Sequence, residues 1–233
     1  MKIGIMQPYF LPYLGYFQLM NLVDKYVVYD DVNFIKGGRI NRNNMLNTNG
    51  KPLQFNILLN GASPNKLINE IELLPDMINR HKTLKSIFFN YQKAPYFSET
   101  YSLMEEIFLN KEKNLALFIF DSFNFVCKYL GIKTKLMLSS SLAKNNDLKA
   151  EEKVYDICRL LKATDYYNSI GGENLYSHEE FKKLGINLHF LKMDDIKYKQ
   201  FDNEFVPFLS ILDVMMFNSV KTIQEMLKKY TLI

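Results

Sequence analysis

Gln7-Pro8 restricts this chain more than any other pair, because it cuts a short apolar run where a strand has to end. Residues 3–6 read Ile-Gly-Ile-Met, the length of a buried strand. Proline has no N–H for a sheet ladder and pushes the preceding residue into an extended conformation, so pairing stops there. Helical spacing resumes at Leu14, Phe17, Leu19 and Leu22, and a second strand over 26–29 runs into Asp30-Asp31. Strand, loop, helix, strand is the opening unit of a parallel sheet, and such sheets bind ligands outside the carboxyl ends of their strands. Gln7 to Tyr13 and Asp30-Asp31 stand at those ends and are expected to line one crevice. Tyr9, Phe10, Tyr13 and Tyr16 follow neither helical nor alternating spacing, which suits walls against a ligand, whereas Phe17 suits the core.

Further along, residues 32–44 are rich in Gly, Asn and cations and read as an ordered loop anchored by Ile40 and Met45. A strand is expected over 53–59 and a short one over 68–73, separated by the turn Asn60-Gly61-Ala62-Ser63-Pro64. From Asp76 the spacing becomes helical, giving helices near 77–91, 98–109 and 114–130, the last ending on Gly131. Strand and helix then alternate: strands at 134–138, 165–169 and 187–193, helices at 149–161 and 178–184, and two closing helices near 206–217 and 219–229. The expected fold is therefore α/β: a Rossmann-like parallel sheet flanked by helices, one domain over 1–233 with a mainly helical insertion at 75–131.

Composition excludes several classes. A net charge of +4 on 233 residues, with scattered lysines, does not point to nucleic acid. No apolar stretch approaches the ~20 residues of a membrane span, and the first residues do not read as a signal peptide, so the expectation is a cytoplasmic protein without a transmembrane segment. Cys127 and Cys158 sit in apolar helical patterns without Cys–His metal spacing, and read as buried free thiols. No metal site is assigned.

The candidate chemistry lies at strand ends and in loops. Asp30 and Asp31 suit sugar hydroxyls, an ammonium group or Mg²⁺, or one of them suits a general base; on a strand they would point to opposite faces. Lys36, Arg39 and Arg42 are candidates for clamping phosphate or carboxylate. His81, in Asn79-Arg80-His81-Lys82, is the best placed of three histidines for general-base work, against the plainer reading of a surface histidine. Gly171-Gly172 after a strand lets backbone N–H groups approach a ligand or makes a plain turn. Ser210 and Asp213 share a helix face, where they complete the pocket or bond to each other.

Tyr13-Leu14-Gly15-Tyr16 resembles the His-x-Gly-His signature of Rossmann-like nucleotidylyltransferases, with both histidines replaced. Ser139-Ser140-Ser141 resembles the serine phosphate loop of phosphopantetheine adenylyltransferases. A phenol is neutral at pH 7 and supplies no cationic clamp, so the adenylyl-transfer activity does not carry over.

A broader resemblance covers nearly the whole chain. Residues 6–19 (Met-Gln-Pro-Tyr-Phe-Leu-Pro-Tyr-Leu-Gly-Tyr-Phe-Gln-Leu), Asp30-Asp31-Val32-Asn33-Phe34-Ile35-Lys36, Ile40-Asn41-Arg42-Asn43, Lys93-Ala94-Pro95-Tyr96-Phe97 and Phe208-Leu209-Ser210-Ile211-Leu212-Asp213 resemble, in that order, the WbqC-like protein family. The resemblance implies a role in bacterial O-antigen or other surface-polysaccharide synthesis, with transfer of an acyl or aminoacyl group to the amine of a nucleotide-linked amino sugar. A donor such as a thioester and a small nucleotide-sugar partner follow from it, with self-association left open; a non-catalytic sugar-nucleotide-binding or scaffold protein and a nucleotidylyltransferase are the alternatives. Under that reading Asp31 or His81 is the base and Gln7 and Asn41 are polar donors. Arg42, Lys36, Ser139 and Ser140 form a phosphate clamp, and Tyr9, Phe10 and Tyr13 form the stacking walls. Pro8, Gly15, Tyr16, Asp30, Asn43, Gly171, Gly172, Ser210 and Asp213 complete the candidate set. One departure is Gly37-Gly38-Arg39, where the family pattern carries a bulkier or basic residue, so the closure of that loop is an open point.

Overall fold

The computed structural model describes residues 1–75 and 77–233; Asp76, at the expected onset of the helical pattern, lies outside them. The opening unit is β1 (Lys2–Met6), α1 (Leu14–Leu22) and β2 (Lys25–Val28). Two small antiparallel pairs follow, β3 (Arg42–Leu46) with β4 (Pro52–Asn56) and β5 (Leu59–Asn60) with β6 (Glu72–Leu73). Helices α2 (Ile78–Tyr91), α3 (Phe97–Phe108) and α4 (Leu115–Leu130) come next. The chain then runs through β7 (Lys135–Leu138), α5 (Ala150–Leu160), β8 (Asp165–Ser169), α6 (His178–Lys183) and β9 (Asn187–Met193). It closes on α7 (Ile211–Phe217), α8 (Val220–Met226) and β10 (Tyr230–Leu232).

Six of these strands form one sheet in the order β10-β9-β8-β1-β2-β7, parallel throughout except for the antiparallel edge strand β10. The chain builds outward from β1 through β2 to β7, then crosses through α5 to β8 on the other side of β1 and builds outward again. Strand order therefore reverses between β1 and β8, the switch point at which doubly wound sheets bind ligands. Alternation along β1 divides the core: Ile3 and Ile5 face α5 and α6 with Val154, Ile157 and Phe181, while the opposite face packs Tyr26 and Val28 against α1 and α4.

Several elements depart from expectation. Residues 42–46 are a strand rather than loop: Arg-Asn-Asn-Met-Leu has poor strand propensity, but Met45 and Leu46 are buried and pair with β4 across a turn at Gly50. The short strand expected over 68–73 is a 3-10 turn at Ile68–Glu70 followed by β6. The helix expected from 206 starts only at Ile211, because Pro207 and the left-handed Phe208 (φ 56°) precede it and Ser210 caps it. Edge strand β10 is only three residues long and forms by pairing with β9. Cys127 and Cys158 are buried and unbridged, and burial pushes both thiols up to about 12. Among the described residues no helix is long and apolar enough to cross a membrane.

Candidate functional site at the sheet switch point

The loop from Gln7 to Tyr13 leaves β1 at the switch point, and its shape is fixed from outside. Leu11 adopts a left-handed φ of 43°, unusual for a residue with a branched side chain. Its carbonyl accepts from Asn43 Nδ2 at 2.7 Å and from Ser210 Oγ at 2.8 Å, both buried. Asn43 Nδ2 also reaches the Phe10 carbonyl at 3.3 Å. Backbone bonds from Phe10 N to Ile40 O (3.0 Å) and from Ile211 N to Pro12 O (2.9 Å) finish the clamp. Asn43 and Ser210 therefore hold the loop rather than a ligand. Pro8 is buried in the same turn, and Phe10 turns inward, fully buried against Phe55, Phe108 and Phe118. Its expected place on the ligand wall is corrected accordingly: the left-handed turn at Leu11 aims that ring at the helical layer.

What the loop presents to the crevice is Gln7, Tyr9 and Tyr13, with Tyr16 from α1. Tyr9 stacks on Tyr16 with centroids 5.3 Å apart, and Tyr13 meets Tyr16 edge-on at 5.8 Å. Gly15 makes this possible, since a Cβ there would lie 2.4 Å from a Tyr13 ring carbon. Burial raises the pKa of all three phenols, which stay neutral. Arg39, exposed on the next loop, lies close enough to Tyr9 to temper that rise.

The cavity they border measures about 620 Å³, in the range of small-molecule sites. Its other walls are Tyr29, Val32 and Ile35 beyond β2, Asn168, Ser169, Gly171, Gly172, Leu175 and Tyr176 around the end of β8, and Ala150, Glu151 and Val154 on α5. Asn168 is set by its own bonds, donating to Tyr166 Oη at 2.7 Å and accepting from Ser169 N at 2.7 Å. Among the described residues Glu151 is the only carboxylate lining this cavity, and no lysine or arginine lines it. Glu151 accepts from Tyr155 Oη at 3.1 Å. Its place in the first turn of a helix reads as ordinary helix-end chemistry, so nothing in the sequence marks it as facing a ligand.

The aspartates are used elsewhere. Strand β2 ends at Val28, so Asp30 and Asp31 lie beyond it, and both turn toward the Ser139–Ser141 segment rather than to opposite faces. Asp30 accepts from Ser140 N (2.9 Å) and Ser140 Oγ (2.5 Å). Asp31 pairs with Lys144 Nζ at 2.6 Å and Lys153 Nζ at 3.1 Å, all three side chains being largely buried. Burial opposes ionisation of Asp31, but the hydrogen bond and charge of Lys144, helped by Lys153, outweigh it and hold the carboxyl below its ordinary value. A carboxylate so committed is a poor proton acceptor. In the serine turn Ser139 is buried, its carbonyl takes Lys144, and both the backbone N–H and the hydroxyl of Ser140 go to Asp30.

The remaining candidates also find structural partners. Asn41 donates to Ile57 O (2.8 Å), and Arg42 donates to Gly38 O (2.8 Å), closing the turn in which Gly37 takes φ 80°. That is how the Gly37-Gly38-Arg39 loop closes without a bulkier residue. Lys36 is exposed and outside the cavity lining. His81 is exposed on α2, in a surface groove with Phe88, Phe89 and Tyr101 that shares no residue with the switch-point cavity. Asp213 is fully buried and accepts from Tyr91 Oη (2.7 Å), Tyr198 Oη (2.8 Å) and Gln200 Nε2 (2.7 Å). Burial raises its pKa against those bonds. Ser210 and Asp213 thus do not bond to each other through their side chains, and neither lines the crevice. No group of three His, Cys, Asp or Glu among the described residues is placed to hold a metal ion.

Sheet order, switch point and clamped opening loop define an α/β protein with a Rossmann-like arrangement and an aromatic crevice at the carboxyl ends of β1 and β8. The chain belongs to the WbqC-like protein family, whose model matches residues 7–225. It is similar to the uncharacterized protein Rv1507c of Mycobacterium tuberculosis, with 29% identity over 219 residues, covering 92% of each chain. No solved structure gives a significant match.

Proposed function

We propose that this chain binds a nucleotide-linked amino sugar in the switch-point crevice and transfers an acyl or aminoacyl group to its amine, as a cytoplasmic step of bacterial surface-polysaccharide synthesis. The observation that carries this reading is the pairing, in one cavity, of a stacked tyrosine wall with the single carboxylate Glu151. Aromatic faces suit a sugar ring or a nucleobase, and a carboxylate suits an ammonium group. Arg39, whose charge is felt at Tyr9 and which is exposed, is the partner we assign to the nucleotide phosphates.

In the proposed reaction Glu151 takes a proton from the sugar ammonium, and the freed amine attacks the acyl carbonyl of a thioester. The C–N bond forms, the C–S bond breaks, and the thiolate leaves and takes up the second proton shed by the attacking nitrogen as the amide forms, while Glu151 returns its own proton to solvent. The Gln7 side-chain amide is the donor available to the oxyanion. Asp31 and His81, the bases expected from sequence, are replaced in this role by Glu151, because one is ion-paired and the other lies in a different groove. Adenylyl transfer fits less well, since neutral Tyr13 and Tyr16 stand where a phosphoryl clamp would need cations.

The test is a mass-spectrometric assay with UDP-glucosamine and a panel of acyl and aminoacyl thioesters. The expected result is one acyl group gained on the sugar amine, reduced by about 100-fold or more in Glu151→Gln. No gain with any donor, beside saturable nucleotide-sugar binding, would favour the binding-protein alternative.

A further inference from the structure

A second cavity, about 410 Å³, opens at the carboxyl end of β9, two strands along from β1 on the same sheet edge. Its walls include Met193, Ile196, Phe205, Phe208 and Leu209, and it shares Tyr13 with the switch-point crevice. One ring thus borders both spaces, and that ring is fixed: it lies over Gly15, edge-on to Tyr16 at 5.8 Å and to Phe208 at 6.0 Å.

Phe208 is unusual twice over. It is 68% exposed, and it holds a left-handed φ of 56° that aromatic residues rarely adopt. Two residues later Ser210 is anchored on the Leu11 carbonyl, so the unfavourable backbone is tied to the same clamp that shapes the opening loop. Unfavourable backbone held in place by its surroundings, with an aromatic side chain left at a cavity mouth, is a pattern of ligand sites rather than of packing.

We infer that this second cavity receives the apolar acyl portion of the donor, with Tyr13 as the border at which the acyl carbonyl meets the amine held by the first cavity. The inference rests on the acyl-transfer reading above and adds the donor class: a short acyl chain. The walls named are hydrocarbon and aromatic; the charged lining groups are Lys192, Asp194 and Asp195, and the last is paired with Lys197 at 3.2 Å. The volume sets a ceiling on chain length.

The test is calorimetric titration of N-acetylcysteamine thioesters carrying acetyl, butyryl and hexanoyl groups. Burial of each methylene is worth about 0.8 kcal/mol, so affinity rises about fourfold per carbon in the wild type until the cavity is filled. Ile196→Trp fills the cavity and flattens the series. Phe208→Asp, at an exposed position that tolerates charge, flattens it too, so the result does not depend on one variant folding. UDP-glucosamine does not displace the thioester. The inference is overturned by a flat series in the wild type, by an intact series in both variants, or by displacement with UDP-glucosamine. If the series behaves as expected while no acyl product forms, the cavity assignment stands and the transfer reading falls.

Discussion

Asn43 donates its side-chain amide to the carbonyl of Leu11 at 2.7 Å, so a residue on β3 holds the left-handed turn of a loop that leaves β1. Ser210, 199 positions from Leu11, accepts a similar duty through the same oxygen. Three separated sequence motifs therefore converge on one backbone atom, and the wall of the crevice depends on all of them.

Asn43→Ala and Ser210→Ala each remove one of the two donors to the buried Leu11 carbonyl, which keeps the other, a loss of about 0.5–1.5 kcal/mol. Urea denaturation measures it. Nucleotide-sugar affinity falls along with stability, because Tyr9 and Tyr13 lose their fixed positions; unchanged stability in both variants would refute the clamp.

Gly15→Ala separates positioning from folding. Alanine favours the first turn of α1, so the melting temperature holds or rises. The new Cβ would lie 2.4 Å from the Tyr13 ring, which has to move. Binding at the crevice is expected to weaken about tenfold, an energy near 1.4 kcal/mol.

Asp31 and Asp213 pull the pH dependence of stability in opposite directions. The folded-state value of Asp31 is lowered, so its contribution is present above the ordinary carboxylate pKa of 3.8 and is lost as pH falls through the lower folded value. The folded-state value of Asp213 is raised, so its contribution is present below 3.8 and is lost as pH rises through the higher folded value. Asp31→Asn removes the acid-side loss, and also costs about 3–5 kcal/mol at neutral pH by leaving Lys144 and Lys153 without their carboxylate. Asp213→Asn removes the loss on the rising side. Melting curves from pH 3 to pH 8 distinguish the two.

The framework of the sheet was legible because it is written locally. The Gln7-Pro8 break, the spacing from Leu14 to Leu22 and the alternating strands and helices after residue 134 each signal an element without reference to the rest of the chain. Strand β3 was not legible, because two asparagines in Arg-Asn-Asn-Met-Leu weaken its pattern; its reason for existing is burial against β4 and the bond from Asn43 to the opening loop. In the crevice, Gln7, Tyr9, Tyr13, Tyr16 and the two glycines at 171 and 172 could be read from strand ends. Glu151 could not, since only the fold of α5 against β1 brings it there, and Asn168, inside β8, has no sequence signal that separates it from its strand neighbours. The aspartates misled for the same reason: Lys144 and Lys153, which occupy Asp31, lie more than a hundred residues away in sequence.

His81→Ala tests the outer groove. His81 shares no wall with the switch-point cavity, so acyl transfer in this variant stays within about twofold of wild type. A larger loss would bring the α2 groove back into the reaction.

The most direct measurement is calorimetric titration of UDP-glucosamine into the wild type, Tyr9→Ala and Glu151→Gln. The wild type is expected to bind one equivalent. Loss of the stacked ring and loss of the carboxylate should each weaken binding by about tenfold, near 1.4 kcal/mol. Equal affinity in all three proteins would contradict the assignment of the crevice between β1 and β8 as the site of the amino sugar.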